Sequence, residues 1–93
     1  MDRFPDTFMW GATIHSHSVE GEHFDSDWWH WEQRPGSIVD GSTSQYGVDH
    51  WNRYADDIRL AREYGLNTLF ITLEWSRIQL GPDSFDADVL EHY

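Results

Sequence analysis

The stretch Asn67-Thr-Leu-Phe-Ile-Thr-Leu-Glu-Trp75 decides the architecture. Its alternation puts Leu69, Ile71 and Leu73 on one face and Thr68, Phe70, Thr72 and Glu74 on the other. One all-aliphatic face beside one mixed face is the pattern of a strand covered on both sides. In a barrel the aliphatic face meets outer helices and the mixed face points into the lumen.

Reading outward from that strand, residues 48–64 form a helix. Trp51, Tyr54, Ile58, Ala61 and Tyr64 recur at spacings of three and four. Asp49 at the start complements the positive helix end, and Arg59 and Arg62 lie toward the other end. Gly65-Leu66 is a stop signal, with Gly in the left-handed position. Upstream, the turn Phe4-Pro5-Asp6 precedes an apolar run, Thr7 to Ile14, read as a buried strand. Its Gly11 and Ala12 suit close backbone approach. Residues 15–47 form a long loop between that strand and the helix, with one short helix expected over Trp28–Gln33 and Ser26 or Asp27 as its cap. Downstream, Gly81-Pro82-Asp83 turns the chain and 86–93 begins another helix with Asp86 as cap. Strand, long loop, helix, strand, loop and helix start make a βαβ unit, with parallel strands and a right-handed crossover, hence an α/β fold.

Composition narrows the function classes. The chain has 93 residues, 6 Lys plus Arg against 17 Asp plus Glu, and a formal charge of −11. Phosphate backbones and anionic lipid surfaces would repel it, so neither nucleic acid nor membrane is an expected partner. The absence of Cys removes disulfides, thiolate zinc sites and thiol nucleophiles. No apolar run approaches a membrane span of about 20 residues. The N-terminus lacks the basic and apolar regions of a signal peptide, so the cytoplasm is the expected compartment. A mean hydropathy of −0.69 leans toward disorder. Six Trp within 16% aromatic residues point the other way, to a folded chain with large rings to bury.

Residues 4–21, Phe-Pro-Asp-Thr-Phe-Met-Trp-Gly-Ala-Thr-Ile-His-Ser-His-Ser-Val-Glu-Gly, resemble the N-terminal signature of family 1 glycoside hydrolases. Asp49-His50-Trp51, Arg53-Tyr54, Asp57-Ile58 and Gly65-Leu66 follow in that family's order. Leu73-Glu74-Trp75-Ser76-Arg77-Ile78 looks like its second barrel strand and the following turn, and Asp27-Trp28-Trp29-His30-Trp31 is similar to a loop of archaeal-type members. The resemblance implies a (β/α)8 TIM barrel, present here as its N-terminal βαβ portion over residues 1–93. It also implies retaining hydrolysis of β-glucosides or β-galactosides, with no cofactor. The family's two catalytic glutamates lie in Asn-Glu-Pro and Glu-Asn-Gly motifs, and neither motif occurs in the sequence. No catalytic residue is therefore assigned to this chain. The expectation is the first quarter of an enzyme: a truncation, an expressed fragment, or one piece of a split protein.

Barrel chemistry gathers at the C-terminal ends of the strands, here Ile14 to Glu20 and Thr72 to Ser76. The substrate-facing set implied by the resemblance is His17, Ser18, Glu74 and Trp75. Ser18 stands where the family usually has Gln, offering one short hydroxyl in place of an amide. It is either part of a wetter sugar pocket or a loop serine without ligand. Phe70 stands at the position of the family arginine, which keeps a neighbouring carboxylate ionised; Phe does not. His15 and His17 share a face if extended, but with no third ligand they read as polar loop histidines and not as a metal site. His50 reads as structural. Glu74 reads as a structural ion pair with Arg77 or a later residue, with a hydrogen bond inside the site as the other option. Glu20, Glu22, Asp25 and Asp27 around His23 read as a solvated loop. Trp28, Trp29 and Trp31 either stack on sugars or pack the loop, at least one of them packing.

The expected partners are a β-linked saccharide or glycoside, and the remaining barrel segments or a second copy of the chain. The rival to a hydrolase fragment is a non-catalytic barrel relative that binds sugar or a partner.

Overall fold

The computed structural model describes residues 2–93. Its elements are β1 (Gly11–Ile14), α1 (Ser16–Val19), α2 (Asp27–Glu32), α3 (His50–Glu63), β2 (Thr68–Ile71), α4 (Trp75–Ile78), β3 (Gln79–Gly81), β4 (Ser84–Phe85) and α5 (Ala87–His92). β1 and β2 pair in parallel, Gly11 opposite Thr68 and Ile14 opposite Ile71. The pairing needs a glycine at its lower end, because a Cβ on Gly11 would sit 2.6 Å from the Thr68 carbonyl oxygen.

The apolar run at 7–14 is a strand only from Gly11 onward. Ahead of it the Phe8 N–H closes a turn onto the Pro5 carbonyl at 2.9 Å. Phe4, Phe8 and Trp10 then cluster with ring centroids 4.5, 4.6 and 5.0 Å apart. Asn67 holds this turn against the start of β2: its side chain accepts the Trp10 N–H at 2.8 Å and donates to the Phe8 carbonyl at 3.0 Å. Rings packed at tilted and edge-on angles take the place of the expected burial in a sheet.

Helix α3 follows its periodic pattern. Ile58, Ala61 and Leu66 share an open groove with Leu69 and Ile71, so the aliphatic face of β2 is turned toward the helix as its alternation requires. Phe70 lies on the opposite, lumen-side face and is 64% exposed. At the helix C-terminus Gly65 has φ +83°, the Leu66 N–H reaches the Ala61 carbonyl and the Gly65 N–H the Arg62 carbonyl. That is the paired stop that the Gly-Leu sequence encodes.

The second strand ends at Ile71, not at Trp75. The Thr72 N–H makes one more ladder bond, to the Ile14 carbonyl at 3.1 Å. Its hydroxyl then accepts the Ser16 N–H at 3.1 Å, and the chain turns into α4. The Gly81-Pro82-Asp83 turn closes the small antiparallel β3–β4 hairpin. Asp86 caps α5 by accepting from the Asp88 and Val89 N–H groups.

Little of this is packed inside. Among the described residues Ile78 is the one buried hydrophobic side chain. The accessible surface is 7471 Å², against about 5,600 Å² for a compact domain of this mass. The radius of gyration is 16.6 Å, where about 12 Å is usual for this length. The lumen face and the outer edges of the two-stranded sheet are open. Among the described residues no helix is long and apolar enough to cross a membrane.

Candidate functional site

The C-terminal ends of β1 and β2 lead into α1 and α4, so the residues singled out in the sequence arrive at one rim. Ser18 sits on α1, exposed, its hydroxyl donating to the His15 carbonyl at 3.2 Å. His17, one residue earlier, has Nε2 3.4 Å from Glu32 Oε2. Trp75 opens α4 and is 56% exposed; its indole N–H donates to Gln79 Oε1 at 2.8 Å. His50, at the start of α3, pairs with Asp57 at 2.6 Å and is structural.

The acids near His23 do not form a solvated loop throughout. Glu20 is 2% exposed and His23 5%. Gly21 (φ +89°) and Glu22 (φ +58°) make a left-handed turn that folds His23 back over Glu20. His23 Nε2 lies 2.9 Å from Glu20 Oε2, and its Nδ1 lies 3.4 Å from Glu74 Oε2. Glu20 also accepts the Tyr93 hydroxyl, 2.8 Å from each carboxylate oxygen. The same hydroxyl accepts the Glu74 N–H at 3.1 Å.

Glu74 does not pair with Arg77. Its carboxylate accepts Ser16 Oγ at 3.2 Å and Ser76 Oγ at 2.8 Å, besides facing His23. Arg77 turns instead to Glu20, with Nε 3.6 Å from Oε2. It donates to the Gly21 carbonyl and lies 4.0 Å over the Trp51 ring. The indole gives the guanidinium a flat, electron-rich seat beside a buried carboxylate, and Glu74 offers no such seat. The three-residue spacing of Glu20 and His23 was the available sequence signal for this buried pair.

A second polar cluster anchors α2. Glu32, 6% exposed in its side chain, accepts from the Ser44 N–H, the Ser44 hydroxyl and the Thr43 hydroxyl at 3.0, 2.7 and 3.1 Å. Burial pushes its carboxyl upward, but the Ser44 and Thr43 bonds and nearby His17 outweigh that and hold it below the usual range. Ser26 caps α2 through the Trp29 N–H at 3.0 Å, as its sequence position suggested.

Tyr93 has a consequence at high pH. Burial, helped by the Glu20 carboxylate, pushes its phenol well above the ordinary value. The folded chain therefore keeps a proton that the unfolded chain loses near pH ~10. Stability falls as the pH rises beyond that point, because the folded state binds more protons there. The urea midpoint should drop as the pH rises above ~10, and Tyr93→Phe should flatten that drop. An equally steep drop in the variant would assign the alkaline transition to another group.

The sequence model of "Glycosyl hydrolase family 1" matches residues 1–90. Beta-glucosidase A of Acetivibrio thermocellus is 32% identical over 80 residues, which cover 81% of this chain and 18% of that protein. The crystal structure of beta-glycosidase BGL167 superposes with a TM-score of 0.88 at 37% identity, over 97% of this chain and 21% of that one. The beta-glucosidase of Thermotoga maritima in complex with castanospermine superposes with a TM-score of 0.90 at 28% identity, over 100% of this chain and 22% of that one. The chain spans about a fifth of the length of these proteins.

Proposed function

Because this chain belongs to glycosyl hydrolase family 1, we propose that it supplies the first two strands and part of the sugar-facing rim of a retaining β-glycosidase acting on β-glucosides or β-galactosides. The observation that carries this reading is the parallel, in-register β1–β2 pair, whose C-terminal ends deliver Ser18, His17, Glu74 and Trp75 to one rim. A saccharide bound there would meet exposed Ser18 and Trp75. Retention needs two carboxyl groups about 5–5.5 Å apart, one protonated and one ionised. Glu20 and Glu74 are committed to His23, Tyr93, Arg77 and the serines, so neither is placed to act as the acid or the nucleophile. Co-expression with the remaining strands of a family 1 β-glucosidase should restore hydrolysis of an aryl β-glucoside. A folded, reconstituted barrel without turnover would refute the hydrolase reading.

Phe70 favours a second reading, a barrel relative that binds sugar without cleaving it. It lies on the lumen-side face of β2 and puts no cation there. In the reconstituted barrel, Phe70→Arg should raise kcat by lowering the pKa of a nearby carboxylate. An unchanged kcat together with intact sugar binding would favour the binding role.

A further inference from the structure

The acidic surplus of the sequence has a structural counterpart. The chain contains no lysine: all six basic residues are arginine, against 11 Asp and 6 Glu. Among the described residues, arginine reaches Asp6, Asp56, Glu63 and Glu20, and Asp56 and Glu63 share the single Arg59. Glu32, Asp57 and Glu74 face histidines. The other carboxylates have no ion-pair partner among the described residues, and most of them gather in two places. Glu22, Asp25 and Asp27 stand exposed on the loop that leads into α2. Asp83, Asp88 and Glu91 stand exposed on the β3–β4 turn and on α5.

Like charges so grouped repel one another, and self-repulsion opposes the compact state. Exposed charges act on one another over a Debye length of about 8 Å in physiological salt and about 3 Å at 1 M. The force holding the fold together is small, since Ile78 is the one buried hydrophobic side chain among the described residues. Screening resolves the conflict between a mean hydropathy of −0.69 and 16% aromatic residues. High net charge keeps a polar chain open, and its rings pack once that charge is screened. The carboxylates also keep a chain that exposes Met9, Tyr64 and Phe70 apart from its copies, and for solubility acids serve better than lysines.

We propose that folding of this chain is switched by salt: molar monovalent salt screens the exposed carboxylates and carries the chain from a loose ensemble to the packed βαβ unit. The device needs no cation at a fixed position, because screening acts on every exposed acid at once. It matches the protein to a medium of molar salt. The proposal is independent of the saccharide reading.

The test is urea unfolding of the full chain at KCl concentrations from about 0.1 to about 2 M, read by near-ultraviolet circular dichroism. Two ring pairs report packing in that signal. Trp29 meets Phe24 edge-on with centroids 4.9 Å apart, and Trp28 meets Trp31 edge-on at 5.4 Å. Urea is uncharged, so KCl alone sets the ionic strength. The urea midpoint should rise up to about 1 M KCl and then level off, as screening becomes complete. The variant Glu22→Gln, Asp25→Asn, Asp83→Asn, Glu91→Gln removes four exposed carboxylates that make no side-chain hydrogen bond or ion pair among the described residues. Self-repulsion grows with the square of the net charge, so the salt-dependent rise should shrink to about half that of the parent chain. A midpoint that stays flat across the KCl series would overturn the proposal, as would a variant with the full parental rise. Potassium sulfate at equal ionic strength is the control. If sulfate raises the midpoint and chloride does not, exclusion of the salt from apolar surface governs, and the proposal fails.

Discussion

His23→Ala should shift the urea midpoint of this chain sharply downward. The ring stands between two carboxylates, 2.9 Å from Glu20 and 3.4 Å from Glu74, and is almost fully buried. Removing it leaves Glu20 with Arg77 at 3.6 Å as the one neighbouring cation, and leaves both acids facing a void. Leaving a buried polar group without its hydrogen-bond partner costs about 1–3 kcal/mol. A domain of this length has roughly 5–14 kcal/mol in total at the usual 0.05–0.15 kcal/mol per residue. With one buried hydrophobic side chain, this chain sits at the low end of that range. Urea titration followed by circular dichroism checks the outcome, and an unmoved midpoint would contradict it.

Gly21→Ala should be nearly as damaging, for a reason of space. Gly21 has φ +89°, and a Cβ there would lie 2.5 Å from the Tyr46 carbonyl oxygen and 2.9 Å from its carbon. The backbone conformation alone costs a residue with a side chain about 1–3 kcal/mol. The clash adds to that, because the segment it would displace is itself held: the Glu22 N–H binds the Gln45 carbonyl at 2.5 Å and the Val48 N–H the Val19 carbonyl at 3.2 Å. Gly36→Ala is the matched control. It has φ +82° with open space around its would-be Cβ, so it carries the backbone cost without the clash. Hydrogen exchange at Glu22 and Val48 should speed up in Gly21→Ala and stay slow in Gly36→Ala. Equal exchange in the two variants would count against the steric account.

Features that depend on neighbours in sequence were legible. The α3 periodicity, the Gly65 stop, the Ser26 and Asp86 caps and the two faces of β2 all follow from spacing and turn chemistry. Features that depend on distant partners were not. β2 stops at Ile71 because Thr72 turns its hydroxyl to Ser16, 56 residues away. The Glu20–His23 pair is buried because Tyr93, 73 residues on, and Arg77 close over it. A cluster of acids around a histidine looks the same in a sequence whether water or protein surrounds it. For the site, the order of the segments placed Ser18, His17, Glu74 and Trp75 at one rim. The bonds of Glu74 and Arg77 had to be seen, since each had several oppositely charged choices within reach.

The parallel pairing also fixes a timetable for biosynthesis. Trp10 and Asn67, which bracket the start of the sheet, are 57 residues apart. At a ribosomal rate of about 5–20 residues per second, the segment bearing Phe8 and Trp10 waits roughly 3–11 s for its strand partner to emerge. During that interval its rings have only Phe4 and one another for company. The nascent chain should therefore present a holdase chaperone with a sticky N-terminal handle, one that is released when Asn67 arrives to clamp it.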